Sequence, residues 1–327
     1  MNFKKARLWL LCRLSEAAFW IVCALLKALP PATFRGIARP LVGVLIAGVV
    51  PKRRIVKNLS AAFGESYSLA SKKGLARGVQ DHFVKNLIDC FFQLRFPGYT
   101  RQVVRIEGKE NLDAALAKGR GIIALGAHIG NFVLVGTRLG SEGLKVHTLF
   151  RLPKDQRVQA LIKSRVAGFH QRLIPSFPRR PAVSAILQAL RQNEVVFILA
   201  DNLRGGKIQT KFFGQRVRTS RGPVSLALRS GAAVVPVYLI RSYAGDLKLV
   251  IEPEMELVRT GNLAADVLRN TARLASYLEQ LIRRYPDQWN WLTVRMRGAL
   301  DARAPQTRPQ DAALSPTLNA PAREHRV

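Results

Sequence analysis

One histidine, His128, stands where the chain changes from an apolar run to a polar turn. Residues 122–125 are apolar and bounded by glycines, which is typical of a short buried strand. Apolar residues recur at roughly helical spacing after His128, so we predict a helix that begins at or just after it. Such a turn lies at the carboxyl edge of a sheet, where α/β folds usually place ligands, and imidazole titrates near neutral pH. His128 is therefore a candidate general base; the alternative is a histidine packed at a helix start.

A carboxylate stands at the equivalent place after another predicted strand. Asp201 directly follows the apolar residues 195–200. If the two strands are parallel neighbours, the imidazole of His128 and this carboxylate emerge at the same edge, where a carboxylate fixes the tautomer of a catalytic histidine. The alternative is that Asp201 only caps a turn, as many aspartates after strands do.

A basic segment, predicted to be a loop, follows Asp201 and surrounds the sequence Phe212-Phe213-Gly214. Its cations are Arg204, Lys207, Lys211, Arg216, Arg218 and Arg221. Arginine near Gly and Pro turns suits phosphate recognition, and residues 219–223 open a predicted helix whose N-terminus favours anions. The alternative is a solvated basic loop. No histidine has metal-ligand spacing, and His147, inside a predicted strand, is interpreted as structural.

The elements that position these residues alternate between strand and helix from residue 103 onward. The predicted strands are residues 103–107, 121–126, 146–150, 195–200, 233–240 and 247–252. The predicted helices are residues 51–64, 75–96, 111–118, 129–139, 155–171, 182–192, 222–230 and 264–284. This alternation predicts an α/β fold with a mostly parallel sheet covered by helices. The two tryptophans of residues 286–292 are either core or an interfacial belt.

The charge of the chain implies a polyanionic neighbour. The 327 residues include 52 Lys or Arg and 21 Asp or Glu, a formal net charge of +31. Nucleic acid and an anionic membrane surface are the two ordinary candidates. The three cysteines have no CxxC spacing, which argues against a disulfide framework or a zinc site. We find no internal repeat and no nucleotide-binding glycine signature.

The first 50 residues favour the membrane. Residues 8–29 are mostly apolar and follow a basic start, but charges interrupt them, so a clean spanning helix is not present. A second apolar stretch, residues 41–50, precedes the basic residues 52–54. Apolar faces edged by Lys and Arg are typical of membrane-associated segments. The alternative is a buried hydrophobic hairpin. We predict a membrane-associated segment over 1–50, a catalytic domain over 51–298 and a disordered tail over 299–327.

Several ordered blocks of the sequence resemble one family. They are RRIVKNLSAAFG at 53–64, HIGNF at 128–132, ADNLRGG at 200–206, FFGQRVRTSRGP at 212–223, SLALRSGAAVVPVYLIR at 225–241 and PDQWNWL at 286–292. Together they resemble the lipid A biosynthesis acyltransferases, a family that includes the phosphatidylinositol mannoside acyltransferases. The resemblance spans roughly residues 5–297.

The resemblance implies a fold, a reaction and a location. The fold is glycerophosphate-acyltransferase-like, with an N-terminal hydrophobic membrane-associated helix. The reaction moves a fatty acyl group from acyl carrier protein or acyl-CoA to a hydroxyl of a glycolipid, with His128 as general base and no metal or redox cofactor. The location is the cytoplasmic face of the bacterial inner membrane, among anionic lipids. Substrate-binding roles are assigned to Asn131, Arg151, Arg204, Arg221, Gly222 and Pro223.

One position departs from the family pattern, in which an Asp or Glu follows the histidine after four residues. Here that position is Val133, and the nearest acid, Glu142, lies nine residues further on. Either Asp201 orients His128 in a working enzyme, or the chain binds lipid or acyl donor without turnover. A nucleic-acid-binding protein, suggested by charge alone, is the weakest hypothesis because no nucleic-acid motif is present.

Overall fold

The computed structural model describes most of the chain between residues 29 and 292. The described residues are 29–96, 98–151, 171–203 and 206–292, with 21, 24, 156, 159, 160, 163, 164, 168 and 169. The apolar residues 8–29, most of the predicted helix 155–171, Arg204 and the predicted tail therefore lie largely or wholly outside the described residues.

A seven-stranded sheet forms the centre, in the order β1-β9-β8-β2-β5-β3-β4. Its strands are β1 (Val104–Glu107), β2 (Ile122–Gly126), β3 (Val146–Phe150), β4 (Gln171–Pro175), β5 (Val195–Leu199), β8 (Ala233–Arg241) and β9 (Leu247–Ile251). Neighbours run parallel except β8 and β9. Strands β6 (Ile208–Phe212) and β7 (Gln215–Thr219) form a separate antiparallel ribbon. The prediction of a mostly parallel α/β sheet is confirmed.

Helices cover both faces of the sheet. They are α1 (Pro31–Val49), α2 (Lys52–Phe63), α3 (Leu69–Arg95), α4 (Tyr99–Val103), α5 (Lys109–Leu116), α6 (Val135–Gly140), α7 (Arg179–Arg191), α8 (Gly222–Ser230) and α9 (Leu263–Arg284). On one face Leu125 and Val196 pack with residues of α2, α7, α8 and α9. On the other face Ala124 and Phe197 pack with α5 and α6. Because both faces are covered, the central strands are continuous apolar runs.

The N-terminal helix α1 buries one side and exposes the other. Phe34, Ala38 and Val42 pack against α3. The exposed side carries an apolar patch, formed by Ile37, Leu41, Val44, Leu45 and Val49. No single helix among the described residues is long and apolar enough to cross a membrane, although residues Thr33–Val49 and Lys52–Ser66 satisfy that test as a pair bent by 66°.

Two predictions of local structure are wrong, and a third is correct except at its end. Residues 129–131 form no helix: they are a turn, followed by a 3-10 helix at Phe132–Leu134 and then by α6. The predicted helix 155–171 extends too far, because residues 168 and 169 form a turn and β4 begins at Gln171; the described residues 156, 159, 160, 163 and 164 are helical. The basic segment after Asp201 is not a loop, because Ile208–Phe212 and Gln215–Thr219 alternate buried and exposed side chains as strands. The strand pattern was missed in the sequence because closely spaced charged residues hide the alternation.

Candidate active site

The two candidate catalytic side chains meet. His128 Nδ1 lies 2.7 Å from Asp201 Oδ1, and the backbone N–H of His128 donates to Asp201 Oδ2 at 2.8 Å. The carboxylate is buried, whereas the imidazole is partly exposed. An ionised carboxylate only accepts hydrogen bonds, so Nδ1 carries a proton, and in the neutral imidazole Nε2 keeps its lone pair. Nε2 has no hydrogen-bond partner among the described residues.

The sheet order creates this contact. Strands β2 and β5 are parallel neighbours, with Gly126 opposite Leu199. The N–H of Ala200 donates to Gly126 O at 2.9 Å, so both chains leave the sheet at the same edge. His128 and Asp201 each stand two residues beyond the paired strand ends. The predicted pairing of the two side chains is thereby observed as a hydrogen bond.

The turn at residues 128–131, called here the His128 turn, is held by backbone contacts on two sides. Its carbonyl at His128 accepts from Asn290 N, the N–H of Gly130 donates to Gln288 O, and the N–H of Asn131 donates to Leu239 O, each at 2.9 Å. Gly130 has φ +53°, and a Cβ there would lie 1.8 Å from Leu239 O. Only glycine therefore fits this position.

Trp289 is a third member of the site that the sequence did not single out. Its indole N–H donates to Asp201 Oδ2 at 2.8 Å, so that oxygen accepts from both Trp289 and the His128 backbone. Trp289 and Trp291 are both fully buried, which assigns them to the core rather than to an interfacial belt. The sequence did show two closely spaced tryptophans in residues 286–292, but it gave no reason to place either of them beside Asp201.

The contacts shift the pKa of both groups. Burial lowers the pKa of His128, but the hydrogen bond and the charge of Asp201 raise it more, so the net pKa lies above the usual histidine value. Burial raises the pKa of Asp201, yet the hydrogen bond and charge of His128 and the indole N–H bring the net pKa below its usual range. At neutral pH the carboxylate is thus ionised and orients the ring.

The exposed side of the imidazole faces a cavity of about 200 Å³ between α1, α3, the His128 turn and residues 287–290. The apolar residues of its wall are Ile46, Val79, Phe83, Leu87, Phe132 and Val133. The polar residues of the wall include His82, Asn86, Asp287, Gln288 and Asn290. Phe132 lies edge-to-face against the His128 ring, with centroids 4.9 Å apart. Leu87 and Val133 are exposed, so the cavity opens to the surface beside them.

Asn131 lines this cavity, but its side-chain amide is hydrogen-bonded to other residues of the fold. Its amide Nδ2 donates to Asn86 O at 3.2 Å and to Asp89 Oδ2 at 3.4 Å, and the residue is buried. Asp89 also pairs with Arg241. Cys90, beside them in the wall, has its pKa raised to about 12, chiefly by burial. Its thiol is therefore protonated at neutral pH and a poor nucleophile.

The remaining predicted binding residues lie away from the cavity wall. Arg151 is exposed at the end of β3, at the same sheet edge as His128 but two strands away. Arg221 is exposed just before α8, whose first residues are Gly222 and the buried Pro223. Arg204 lies outside the described residues. Their substrate-binding roles stay predictions.

The structure also places the motif position, Val133, and the nearest acid, Glu142. The side chain of Val133 is 54% exposed, at the cavity mouth. Glu142 pairs with Arg138 on α6 and does not line the cavity. His147 Nε2 donates to the carboxylate of buried Glu194 at 2.6 Å, a contact that agrees with the interpretation of His147 as structural. Among the described residues, no three His, Cys, Asp or Glu side chains cluster as a metal site.

Comparison with known proteins identifies the family of the chain. The family model of the bacterial lipid A biosynthesis acyltransferases matches residues 3–298. The chain belongs to that family. It is an enzyme, an acyltransferase.

Individual relatives carry the same kind of name. A phosphatidylinositol mannoside acyltransferase of Mycobacterium tuberculosis (strain ATCC 25618 / H37Rv) is 28% identical over 241 residues, 68% of this chain and 74% of the relative. The lipid A biosynthesis palmitoleoyltransferase of Escherichia coli (strain K12) is 27% identical over 197 residues, 59% of this chain and 61% of the relative. Both relatives are acyltransferases that act on lipids.

Proposed function

We propose that this acyltransferase moves a fatty acyl group from the thioester of acyl carrier protein or CoA to a hydroxyl of a glycolipid similar to a lipid A precursor. The observation that carries the proposal is the state of His128. Its Nδ1 is bound to the buried carboxylate of Asp201, its Nε2 has no hydrogen-bond partner among the described residues, and the residue lines the cavity. This is the arrangement that a general base requires.

The proposed reaction begins when His128 Nε2 takes the proton of the acceptor hydroxyl. The hydroxyl oxygen then attacks the thioester carbonyl and forms a tetrahedral intermediate. As the intermediate collapses, the carbon–sulfur bond breaks and the imidazolium returns the proton to the leaving thiolate. Asp201 stabilises the transient imidazolium, and Trp289 holds Asp201 in place. These reaction steps need no metal ion or redox cofactor.

The cavity wall combines residues that suit the two parts of the substrates. Its apolar residues, which include Phe83 and Leu87, match an acyl chain. Its polar residues, which include Asn86 and Asp287, offer hydrogen bonds to a hydroxylated headgroup. The Asp287 carboxylate lies 3.4 Å from His82 Nε2, and that contact lowers the pKa of Asp287 against its partial burial. The ionised carboxylate of Asp287 can therefore accept hydrogen bonds from the hydroxyl groups of the glycolipid substrate.

The proposed location is the cytoplasmic face of the bacterial inner membrane. The apolar patch on α1 is exposed, and Ile46 of the same helix lines the cavity. The exposed cations Lys52 and Arg53 follow directly at the start of α2. An apolar face edged by cations is attracted to anionic lipids and buries in the headgroup region. Docking of this kind would bring the cavity mouth to its lipid substrates.

The test measures thioester loss and acylated lipid products. Purified protein is incubated with acyl carrier protein or CoA thioesters and a bacterial lipid extract, and products are identified by mass spectrometry. We expect His128→Ala to lower turnover by about 10²–10⁴-fold, since a general base contributes that much. Asp201→Asn should lower it similarly, whereas Asp113→Asn, a matched change at an exposed carboxylate away from the cavity, should leave turnover unchanged.

Val133→Glu separates the two interpretations of the missing motif acid. If Asp201 supplies the orienting carboxylate, Val133→Glu leaves turnover near the wild-type level. Turnover that appears only in Val133→Glu would instead identify a chain that binds its substrates without reacting them. Equal activity of wild type and His128→Ala would refute the proposed base.

A further inference from the structure

The β6–β7 ribbon has two faces of opposite character. Thr210, Phe212 and Thr219 are buried beneath it, and the ribbon packs on α9. The outward residues form an exposed face, called here the cationic ribbon: Gln209, Lys211, Arg216 and Arg218. Lys207 and Arg221 flank it and are exposed as well. The face therefore carries several cations on a stiff, paired backbone.

These cations are arranged at an electrostatic cost. Lys211 lies directly opposite Arg216 in the antiparallel pairing, and like charges directly opposite each other are destabilising. Residues 202–245 contain no Asp or Glu at all, so no local carboxylate offsets them. Within the described part of the chain, no ion pair forms to Lys211, Arg216 or Arg218. A fold that keeps such a face unneutralised is matched to an anionic partner.

The cationic ribbon is connected directly to the active site. Phe212, on its buried side, lies 6.1 Å from Trp289 between ring centroids, and Trp289 donates to Asp201. Lys207 follows Asp201 by six residues, a length of chain that spans at most about 20 Å. A partner seated on the ribbon is therefore close to the reacting groups.

We propose that the cationic ribbon is the docking surface for the acidic carrier protein that presents the acyl thioester. This rests on the proposed function, in which the donor is a thioester. The outward side chains stand on a flat two-stranded face and do not converge on a point, so they suit carboxylates spread over a protein surface better than one phosphate. Among the described residues, the exposed large apolar side chains that suit a bilayer include five on α1 and none on the ribbon.

The experiment compares donors that share the thioester but differ in the carrier. Wild type and the double variant Lys211→Glu/Arg216→Glu are assayed with palmitoyl acyl carrier protein, with palmitoyl-CoA and with the small neutral thioester palmitoyl-N-acetylcysteamine. We expect the double variant to raise KM for the carrier-bound donor by about tenfold or more at low salt, with kcat retained, because complementary charge acts mainly on association. KM for the neutral thioester should stay unchanged.

A matched control carries the same change of charge elsewhere. Arg105→Glu/Arg191→Glu replaces two exposed cations on β1 and at the end of α7 and should leave KM for the carrier unchanged. High salt should reduce the difference between wild type and the ribbon variant, since the screening length falls to about 3 Å at 1 M. Carrier binding is also titrated on His128→Ala, so this readout does not depend on turnover.

The remaining outcomes overturn the proposal in different ways. An unchanged KM and unchanged carrier binding in the ribbon variant would show that the carrier docks elsewhere. A loss confined to palmitoyl-CoA would assign the ribbon to the phosphates of CoA. Weaker binding to vesicles of phosphatidylglycerol and phosphatidylethanolamine, with carrier binding intact, would assign it to the membrane. Failure of the proposed function is distinct, because it removes dependence on His128 with every donor.

Discussion

The His128 turn and the cationic ribbon treat their polar groups in opposite ways. In the turn, backbone groups at 128, 130 and 131 are hydrogen-bonded, and both oxygens of Asp201 are engaged. On the ribbon, cations face solvent and one another without carboxylate partners among the described residues. The turn is organised by the fold and acts by holding one atom, His128 Nε2, in place. The ribbon is stabilised by the fold only on its inner face and is open to a partner.

The largest expected effect comes from removing the charge that organises the turn. Asp201→Asn should lower kcat by about 10³–10⁴-fold, as the equivalent change does in the serine protease triad. Because the carboxylate raises the pKa of His128, wild-type activity should fall, as pH decreases, at a pH above the usual histidine value of about 6.5. In Asp201→Asn that acid limb should move to lower pH. Asp113→Asn, which removes an exposed carboxylate that pairs with Lys109 away from the cavity, is the control. An unmoved limb in Asp201→Asn would contradict the assignment.

A methyl group at Gly130 should be the next most damaging change. Gly130→Ala introduces a Cβ 1.8 Å from Leu239 O at φ +53°. We expect the free energy of unfolding to fall by about 3 kcal/mol or more, with loss of turnover. Gly214→Ala in the ribbon turn also has positive φ (+71°) but has no atom within 4 Å of its added Cβ, so only about 1–2 kcal/mol is expected. Denaturant unfolding measures both, and equal losses would argue against the close packing of the turn.

Trp289→Phe tests the second hydrogen bond to the carboxylate. A hydrogen bond to a charged group contributes about 1.5–3 kcal/mol, so kcat should fall by about ten- to a hundredfold. Trp291→Phe is the control, because its indole N–H donates to Pro286 O and not to the catalytic pair. That variant should lose stability with little change in the pH profile. If the two variants had the same pH profile and the same kcat, the hydrogen bond from Trp289 would have no role in catalysis.

The smallest effect should have the opposite sign. Lys211→Glu places a carboxylate opposite Arg216, so we expect the protein to gain about 0.2–1 kcal/mol of stability at low salt. The gain should shrink at high salt, as measured by the denaturant midpoint, while transfer from the carrier protein weakens. A loss of stability would contradict the prediction, because it would mean that Lys211 and Arg216 do not destabilise the folded protein by repelling each other.

Local sequence patterns were enough for most elements and for the two catalytic candidates. Continuous apolar runs predicted β2 and β5 to within one residue, and helical periodicity predicted α9 to within one residue. These patterns succeed because apolar period and run length depend on local geometry and burial. His128 and Asp201 could be named because polar residues that follow buried strands stand at a sheet edge.

What the sequence by itself determined is therefore which residues are buried and which two could react. Only the tertiary structure placed β2 beside β5, turned β9 antiparallel to β8 and brought Trp289 to Asp201 across 88 residues. It also converted residues 129–131 from a predicted helix into a turn held by Leu239 and Gln288. The physical reason is that periodicity reports how far a side chain is buried, whereas a hydrogen-bond partner distant in sequence depends on the order of the strands.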